Sequence, residues 1–174
     1  MKIVKLTKKE YKGKEFCVQY KTKGYYFIEH TKNGFSFVYK KFDQEKTFGY
    51  CDKFFQDWLN KPICYGALDD HNKLLGFAEG YLEEWNNRFR ITNILVFDEN
   101  SRHSGIGSKL MKKMIAKAKT TPARMIVLET ETCNEKAIRF YQKFNFEVIG
   151  FDLYAYTNED PKEHEVRVEM GLKI

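Results

Sequence analysis

The sequence predicts an α/β fold built on a mixed sheet, and three observations carry the expectation. Short segments rich in Val, Ile, Phe and Tyr fill the first hundred residues, divided by Asn, Asp and Gly turns. An apolar stripe of 3.6-residue period over about 105–119 marks an amphipathic helix. The chain then runs strand, helix, strand, an order that buries a central strand under helices.

Taken in order, MKIVKLT reads as a first strand. GYYFIEH and GFSFVYKKF flank Asn33-Gly34, a hairpin signal. CDKFFQDWL sets Phe54, Phe55, Trp58 and Leu59 at helical spacing and predicts a helix. PICYGAL, KLLGFAEGYLEEW and NNRFRITNILVF are strands split by the turns at Asp69–Asn72 and Asn86-Asn87, an antiparallel meander. In the helix near 105–119, Ile106, Leu110, Met111, Met114, Ile115 and Ala118 share one face, and Lys109, Lys112, Lys113, Lys117 and Lys119 the other. RMIVLET is a continuous apolar run of the kind found in buried strands. CNEKAIRFYQKF is a second helix with Ala137, Ile138, Tyr141 and Phe144 on one face, and FEVIGFDLYAY and EVRVEMGLKI close the sheet.

Composition excludes several classes. The formal charge of +6 is uneven: residues 1–53 hold 13 Lys against six acids, whereas the remainder is nearly neutral. A basic front suits nucleic acid, but Lys alternates there with Tyr and Phe as on a solvated strand face. No Arg precedes Arg88, and base-reading surfaces favour Arg, so no nucleic-acid partner is expected. Cys17, Cys51, Cys64 and Cys133 form no C-x-x-C pair and the four His are scattered, so no metal site is expected. Four free thiols in a reducing, cytoplasmic setting are the simplest account. The first residues lack the apolar core of a secretory signal, and no segment is apolar for long enough to span a bilayer, so no membrane partner is expected.

The segment Arg102-His103-Ser104-Gly105-Ile106-Gly107-Ser108, at the mouth of the 105–119 helix, carries the chemistry. A helix start presents unpaired N–H groups and partial positive charge. Glycines let a phosphate approach the backbone, and Arg102 adds a charged contact. The spacing fails both the P-loop pattern and the three-glycine dinucleotide fingerprint. It fits R-x-x-G-x-G, a pyrophosphate cradle; a Gly-rich turn capped by Ser104 is the plain alternative.

With this loop between strand and helix, and with Asn134, Ala137, Phe140 and Tyr141 spaced N-x-x-A-x-x-F-Y, the sequence resembles the GNAT family of acetyl-CoA-dependent N-acetyltransferases over about residues 62–155. WNNRFRITNILV, LETET, FYQKFNF and IGFDLYAY are similar, more narrowly, to bacterial streptothricin acetyltransferases. The resemblance implies a GNAT-like fold and one domain over 1–174. Its acetyl-CoA-binding core would lie at about 62–155, with N-terminal basic strands and helix over 1–61.

It also implies roles. Residues 102–108 would bind the pyrophosphate of acetyl-CoA, the expected acetyl donor. The backbone of Leu95 and Val96 would flank a splayed gap in which pantetheine pairs like a strand. Asn134 and Ala137 would line the coenzyme arm, Asn134 serving also as a helix cap. Tyr141 would protonate the departing thiol. Many relatives place a Glu base on the strand before the loop; here Thr92 and Asn93 stand there, and neither removes a proton from an ammonium group. Glu79, Glu83, Glu129 and Asp152 are the remaining candidates, acting through water or by attracting a cationic substrate. Asn145 replaces the family's usual Gly between Phe144 and Phe146, and Asn tolerates the positive φ such a turn needs.

The expected function is acetyl transfer to a primary amine of a small cationic molecule, a streptothricin-like antibiotic among them. A protein N-acetyltransferase and a non-catalytic acyl-CoA-binding module are the alternatives. The Lys/Tyr-rich N-terminal strands are a candidate homodimer interface.

Overall fold

The computed structural model describes residues 1–98 and 104–174. The elements are β1 (Lys2–Leu6), α1 (Lys8–Tyr11), β2 (Glu15–Thr31), β3 (Gly34–Lys53), β4 (Ile63–Leu68), β5 (Leu74–Glu83), β6 (Arg88–Val96), α2 (Ile106–Ala118), β7 (Met125–Glu131), α3 (Glu135–Gln142), β8 (Glu147–Asp152), α4 (Asp160–Glu163) and β9 (Arg167–Lys173). Seven strands form one sheet in the order β1-β4-β5-β6-β7-β9-β8, and β2 pairs with β3 as a separate ribbon. The expected meander is present, with β4, β5 and β6 antiparallel, while β6 and β7 run parallel. The sheet is mixed, as the element order predicts.

By contacts the chain divides into two compact units. The first holds Met1–Val18, Tyr50–Leu128 and Lys173–Ile174; the second holds Gln19–Gly49 and Glu129–Leu172.

In the first unit, strand alternation sorts β5 into two faces. Gly76, Ala78 and Gly80 lie towards α2, where Met114 Cε comes within 3.0 Å of the place a Cβ on Gly80 would take. A Cβ on Gly76 would stand 2.4 Å from the Leu95 carbonyl oxygen, so β5 meets β6 here only because residue 76 is glycine. The helix buries Ile106, Leu110, Met111, Met114 and Ala118, the stripe read from sequence. The opposite face of the sheet is covered by aromatic rings. Phe77 packs 4.9 Å from Phe16 and 4.2 Å from Phe54, within a core that includes Leu6, Phe55, Cys64 and Leu95. Burying one such ring contributes about 1.5–3 kcal/mol, and favourable ring pairing about 0.5–1.5 kcal/mol more.

Two expectations fail in this unit. No helix forms at 51–59: β3 continues to Lys53, and turns follow. The Phe54–Leu59 spacing does bring Phe54, Phe55 and Leu59 into the core, but by a turn in which Phe55 takes φ 52°, outside the helical region. Nor are all four cysteines free. Cys17 and Cys51 form a disulfide, and only Cys64 and Cys133, both buried, are thiols. The pairing is a product of the β2–β3 register and has no local sequence signature. Burial pushes the Cys64 thiol up, with the nearby Glu79 charge adding to the rise, and Cys133 is pushed up by burial to about 12.

In the second unit, His164 takes φ 66° and stacks 3.8 Å from the Tyr25 ring on β2. Asn145 adopts φ 63°, and the next amide, that of Phe146, donates to the Tyr141 carbonyl at 3.2 Å, so the turn after α3 survives without glycine. β8 ends at Asp152, short of the expected Tyr156. The Asp152 carboxylate accepts from the Tyr154 amide, and the buried Asp160 carboxylate gathers the amides of Tyr156 and Thr157 at 2.8 Å each. These bonds fold residues 154–160 into turns, leading into α4.

Candidate active site

The cradle begins with backbone geometry. Gly105 is the N-cap of α2, in the left-handed region at φ 80° and ψ 5°, with no side chain capping the helix. The N-cap position is thus one residue after the Ser104 of the plain alternative, and belongs to a residue that has no side chain to offer. The first-turn amides of Ile106, Gly107 and Ser108 are those that an α-helix leaves without internal partners. No described atom lies within 4 Å of the place a Cβ on Gly105 would occupy. A helix mouth with a glycine N-cap, and with no described atom near its Cβ position, fits an anionic group such as a diphosphate. Arg102 and His103 lie outside the described residues.

The strand leading to this mouth is β6. Its parallel register with β7 runs only from Arg88↔Met125 to Ile91↔Leu128. Leu95 and Val96, both buried, lie beyond the last of those pairs, on the antiparallel register with Phe77 and Gly76 of β5. Such an edge can take a strand-like ligand through backbone hydrogen bonds.

The four candidate carboxylates sort into different environments. Glu83, 8% exposed, accepts from Arg88 Nε at 3.0 Å, from Asn86 Nδ2 at 3.1 Å and from Arg90 Nε. Burial pushes this carboxyl up, but the bonds from Arg90, Asn86 and Arg88 outweigh it and hold the group below the usual range. Glu83 is thus an ionised, structural acid that clasps two strands. Asp152 is exposed and pairs with Arg167 at 3.6 Å. Glu129 is exposed on β7. Glu79 alone is fully buried and carries an oxygen with no hydrogen-bond partner among the described residues. Burial pushes its carboxyl up to about 7; the Phe55 amide opposes the rise and the Asp52 charge adds to it.

Tyr141, Asn134 and Ala137 belong to the second unit. Tyr141 is 7% exposed, its ring 5.6 Å from Phe140 and 6.2 Å from Phe146. Asn134 caps α3 by accepting from the Ala137 amide at 3.3 Å, so the capping half of its expected role is present. Glu79, Glu83, Leu95, Val96 and Gly105–Ser108 belong to the first unit. Sequence reading missed Asp52 and Phe55 as neighbours of Glu79, because only the course of the chain at the end of β3 and in the turn after it brings them there. No group of three His, Cys, Asp or Glu residues able to hold a metal ion occurs among the described residues, and no described helix is long and apolar enough to cross a membrane.

The family of GNAT acetyltransferases matches residues 19–146, well over half of the chain. The chain belongs to the GNAT acetyltransferase family. As a GNAT enzyme it is an acetyl-CoA-dependent acetyltransferase, and the match begins well before residue 62, where the sequence resemblance starts. Among solved structures, a nourseothricin acetyltransferase superposes with a TM-score of 0.77 at 23% identity, over 99% of this chain and 97% of that one. A putative streptothricin acetyltransferase from Bacillus anthracis, in complex with acetyl coenzyme A, superposes with a TM-score of 0.75 at 25% identity, over 99% and 96%. Among curated proteins, human N-alpha-acetyltransferase 30 is 33% identical over 87 residues, 48% of this GNAT chain. That stretch spans about a fifth of the curated relative's length.

Proposed function

We propose that this acetyltransferase moves the acetyl group of acetyl-CoA to a primary amine of a small cationic molecule of the streptothricin kind. The observation that carries the reading is the similarity to the Bacillus anthracis protein over nearly the full length of both chains. In this reading residues 1–174 act as one domain. The amides at the mouth of α2, with Arg102, His103 and Ser104, grip the diphosphate. The Leu95 and Val96 backbone aligns the pantetheine arm, with Asn134 and Ala137 along it. Fixing the thioester beside the amine supplies much of the rate through orientation alone. Tyr141 gives its phenolic proton to the departing sulfur.

Thiol release with acetyl-CoA, screened against nourseothricin, aminoglycosides, polyamines and peptide amines, tests the reading. Turnover with nourseothricin well above the other amines is the expected result. Turnover with peptide amines alone would replace it with protein N-acetylation, a second reading that the N-alpha-acetyltransferase 30 similarity favours. Tight acetyl-CoA binding without release for any amine would mark a non-catalytic module. The reading includes a cytoplasmic location and a homodimer formed through the β2–β3 ribbon, where Phe35 and Val38 are exposed. Cell fractionation and light scattering check these two points.

A further inference from the structure

The chain has two tryptophans, Trp58 and Trp85, and both are exposed, at 61% and 85%. Both stand at one end of the first unit. Trp85 lies in the turn of residues 84–87 that joins β5 to β6, and it makes no hydrogen bond or ring contact among the described residues. Trp58, in the turns after β3, packs edge-to-face on Tyr81 of β5, with ring centroids 6.0 Å apart. Its indole N–H is satisfied within the protein, donating to Gln56 Oε1 at 2.9 Å, so the part of the ring that faces solvent is apolar. Lys61 Nζ pairs with Glu84 at 3.6 Å and brings the two turns side by side. Exposed apolar surface of this size with a polar rim marks a contact surface.

The rim is basic. The loop after α2 runs beside the hairpin turn: the Arg124 amide donates to the Asn87 carbonyl at 2.9 Å, and Arg124 Nε to the Asn86 carbonyl at 3.0 Å. Those two residues follow Trp85 directly. Leading into the loop, Lys117 Nζ donates to Thr120 Oγ1 at 3.3 Å, and Lys119 is exposed. No acid occurs between residues 104 and 128, and Lys117, Lys119 and Arg124 enter no ion pair among the described residues. The acids next to Trp85 in sequence are already neutralised, Glu84 by Lys61 and Glu83 by Arg88 and Arg90. Cations without acidic partners thus stand beside two apolar rings.

We propose that this end of the first unit docks on an anionic lipid surface. Trp85 and Trp58 enter the headgroup layer, and Lys117, Lys119 and Arg124 lie against the phosphates. Tryptophan suits that boundary, being apolar over most of its ring with one polar edge. Each cation beside an anionic leaflet strengthens binding about fivefold. The contact is peripheral and reversible. The expectation of no membrane partner rested on the want of a spanning segment, which such a contact does not need. Charge complementarity sets the sign of the occupant, and shape sets its kind. A ring that is 85% exposed on a hairpin tip lines no groove for a peptide, whereas a fluid headgroup layer needs no complementary pocket. Single-stranded nucleic acid fits less well. Arg124 has its Nε taken by a backbone carbonyl, the other two cations are lysines, and Trp58 is set edge-to-face with Tyr81 rather than open as a stacking platform.

The placement leaves the helix mouth free. The docking end adjoins the C-terminus of α2, whereas Gly105 caps its N-terminus, 13 residues of helix away, or about 20 Å. β6 likewise runs from Arg88, beside the hairpin turn, to Val96. The lipid-facing tip and the mouth of α2 are therefore at opposite ends of the same helix.

Vesicles of phosphatidylcholine with about 30% phosphatidylglycerol, set against phosphatidylcholine alone, test this by co-sedimentation and by tryptophan emission. Both tryptophans sit at this end, so the emission reports on it without a label. Wild-type protein should bind the anionic vesicles at low salt, with its emission moved to shorter wavelength, and both effects should fade by about 0.5 M salt. Trp85→Ser should melt like wild type and bind about tenfold more weakly. Lys117→Glu/Lys119→Glu keeps both rings and should lose about 25-fold or more; if the serine variant does not fold, the lysine variant decides alone. No binding by wild type at low salt, or binding undiminished in either folded variant, would overturn the proposal. So would sedimentation without an emission shift, which puts the contact elsewhere on the molecule. An emission shift that grows with protein concentration in the absence of lipid would assign this end to a second copy of the chain. Tighter binding to a single-stranded oligonucleotide than to the vesicles would assign it to nucleic acid. Either result replaces the lipid surface.

Discussion

Cys17 of β2 and Cys51 of β3 are disulfide-bonded across the ribbon, 34 residues apart in sequence. The bridge closes the loop formed by most of β2 and β3, both members lying in the first unit at the ends of that loop. Cross-links of this kind contribute about 2–4 kcal/mol, chiefly by restricting the unfolded chain. Urea unfolding in the presence of reductant should show a midpoint lowered accordingly. The Cys17→Ser/Cys51→Ser variant should begin at the lowered midpoint and be indifferent to reductant.

Glu83 makes a different prediction, because its carboxyl is ionised in the fold and held below its ordinary range. A depressed acid stabilises above its unfolded value of about 4.3, and that stability is lost as pH falls through the folded value. Removing one partner from a buried ion pair costs about 3–5 kcal/mol. The Glu83→Gln variant keeps an acceptor for Asn86, so a loss of about 2 kcal/mol is expected at pH 7, narrowing as the pH is lowered from 5 to 3. Denaturant unfolding across that range checks it.

What was legible beforehand followed local rules. Strand alternation, the Asn33-Gly34 turn and the stripe of α2 each depend on residues close in sequence, and each is present. The segment 51–59 misled because Phe54, Phe55 and Leu59 do face a core. A turn with a left-handed Phe55 serves that burial as well as a helix does, and it also aims an amide at Glu79. Periodicity cannot tell the two apart over nine residues. The carboxylates were legible only as a group. Glu79 and Glu83 are alike in sequence, both acids on one strand, yet one meets two guanidinium groups and the other an orphaned oxygen and an amide. That distinction lives in the pairing of β5 with β6 and in where β3 ends.

Gly105 should tolerate no side chain without cost. At φ 80° an alanine is strained by about 1 kcal/mol, although the described neighbours leave its Cβ room. Gly105→Ala should therefore melt slightly lower and bind acetyl-CoA severalfold more weakly. Gly105→Asp adds a negative charge at the mouth of α2 and should abolish binding. Calorimetry with acetyl-CoA measures both, and full affinity in the aspartate variant would remove the cradle from the mechanism.

Tyr141→Phe keeps the ring that packs against Phe140 and Phe146, so its melting temperature and acetyl-CoA affinity should stay near wild type. If the phenol protonates the leaving thiol, kcat should fall about 10²-fold. Thioesters with more acidic thiols, which leave without a proton, should recover part of that loss. A uniform deficit across thiols would assign Tyr141 to positioning.

Glu79 should also be visible in stability, with a sign opposite to that of Glu83. Its folded value is raised to about 7, whereas the unfolded carboxyl ionises near 4.3. Between these two values the native state binds the extra proton, so stability falls as pH rises through the window. Below about 4 both states are protonated and the effect is absent; above about 7 the full penalty of holding a buried carboxylate is present. Glu79→Gln removes the titration. The variant should therefore gain stability relative to wild type as pH rises from 5 to 8. Parallel unfolding curves at four or five pH values would show it, and a difference that stays flat across the window would mean the carboxyl is ionised throughout.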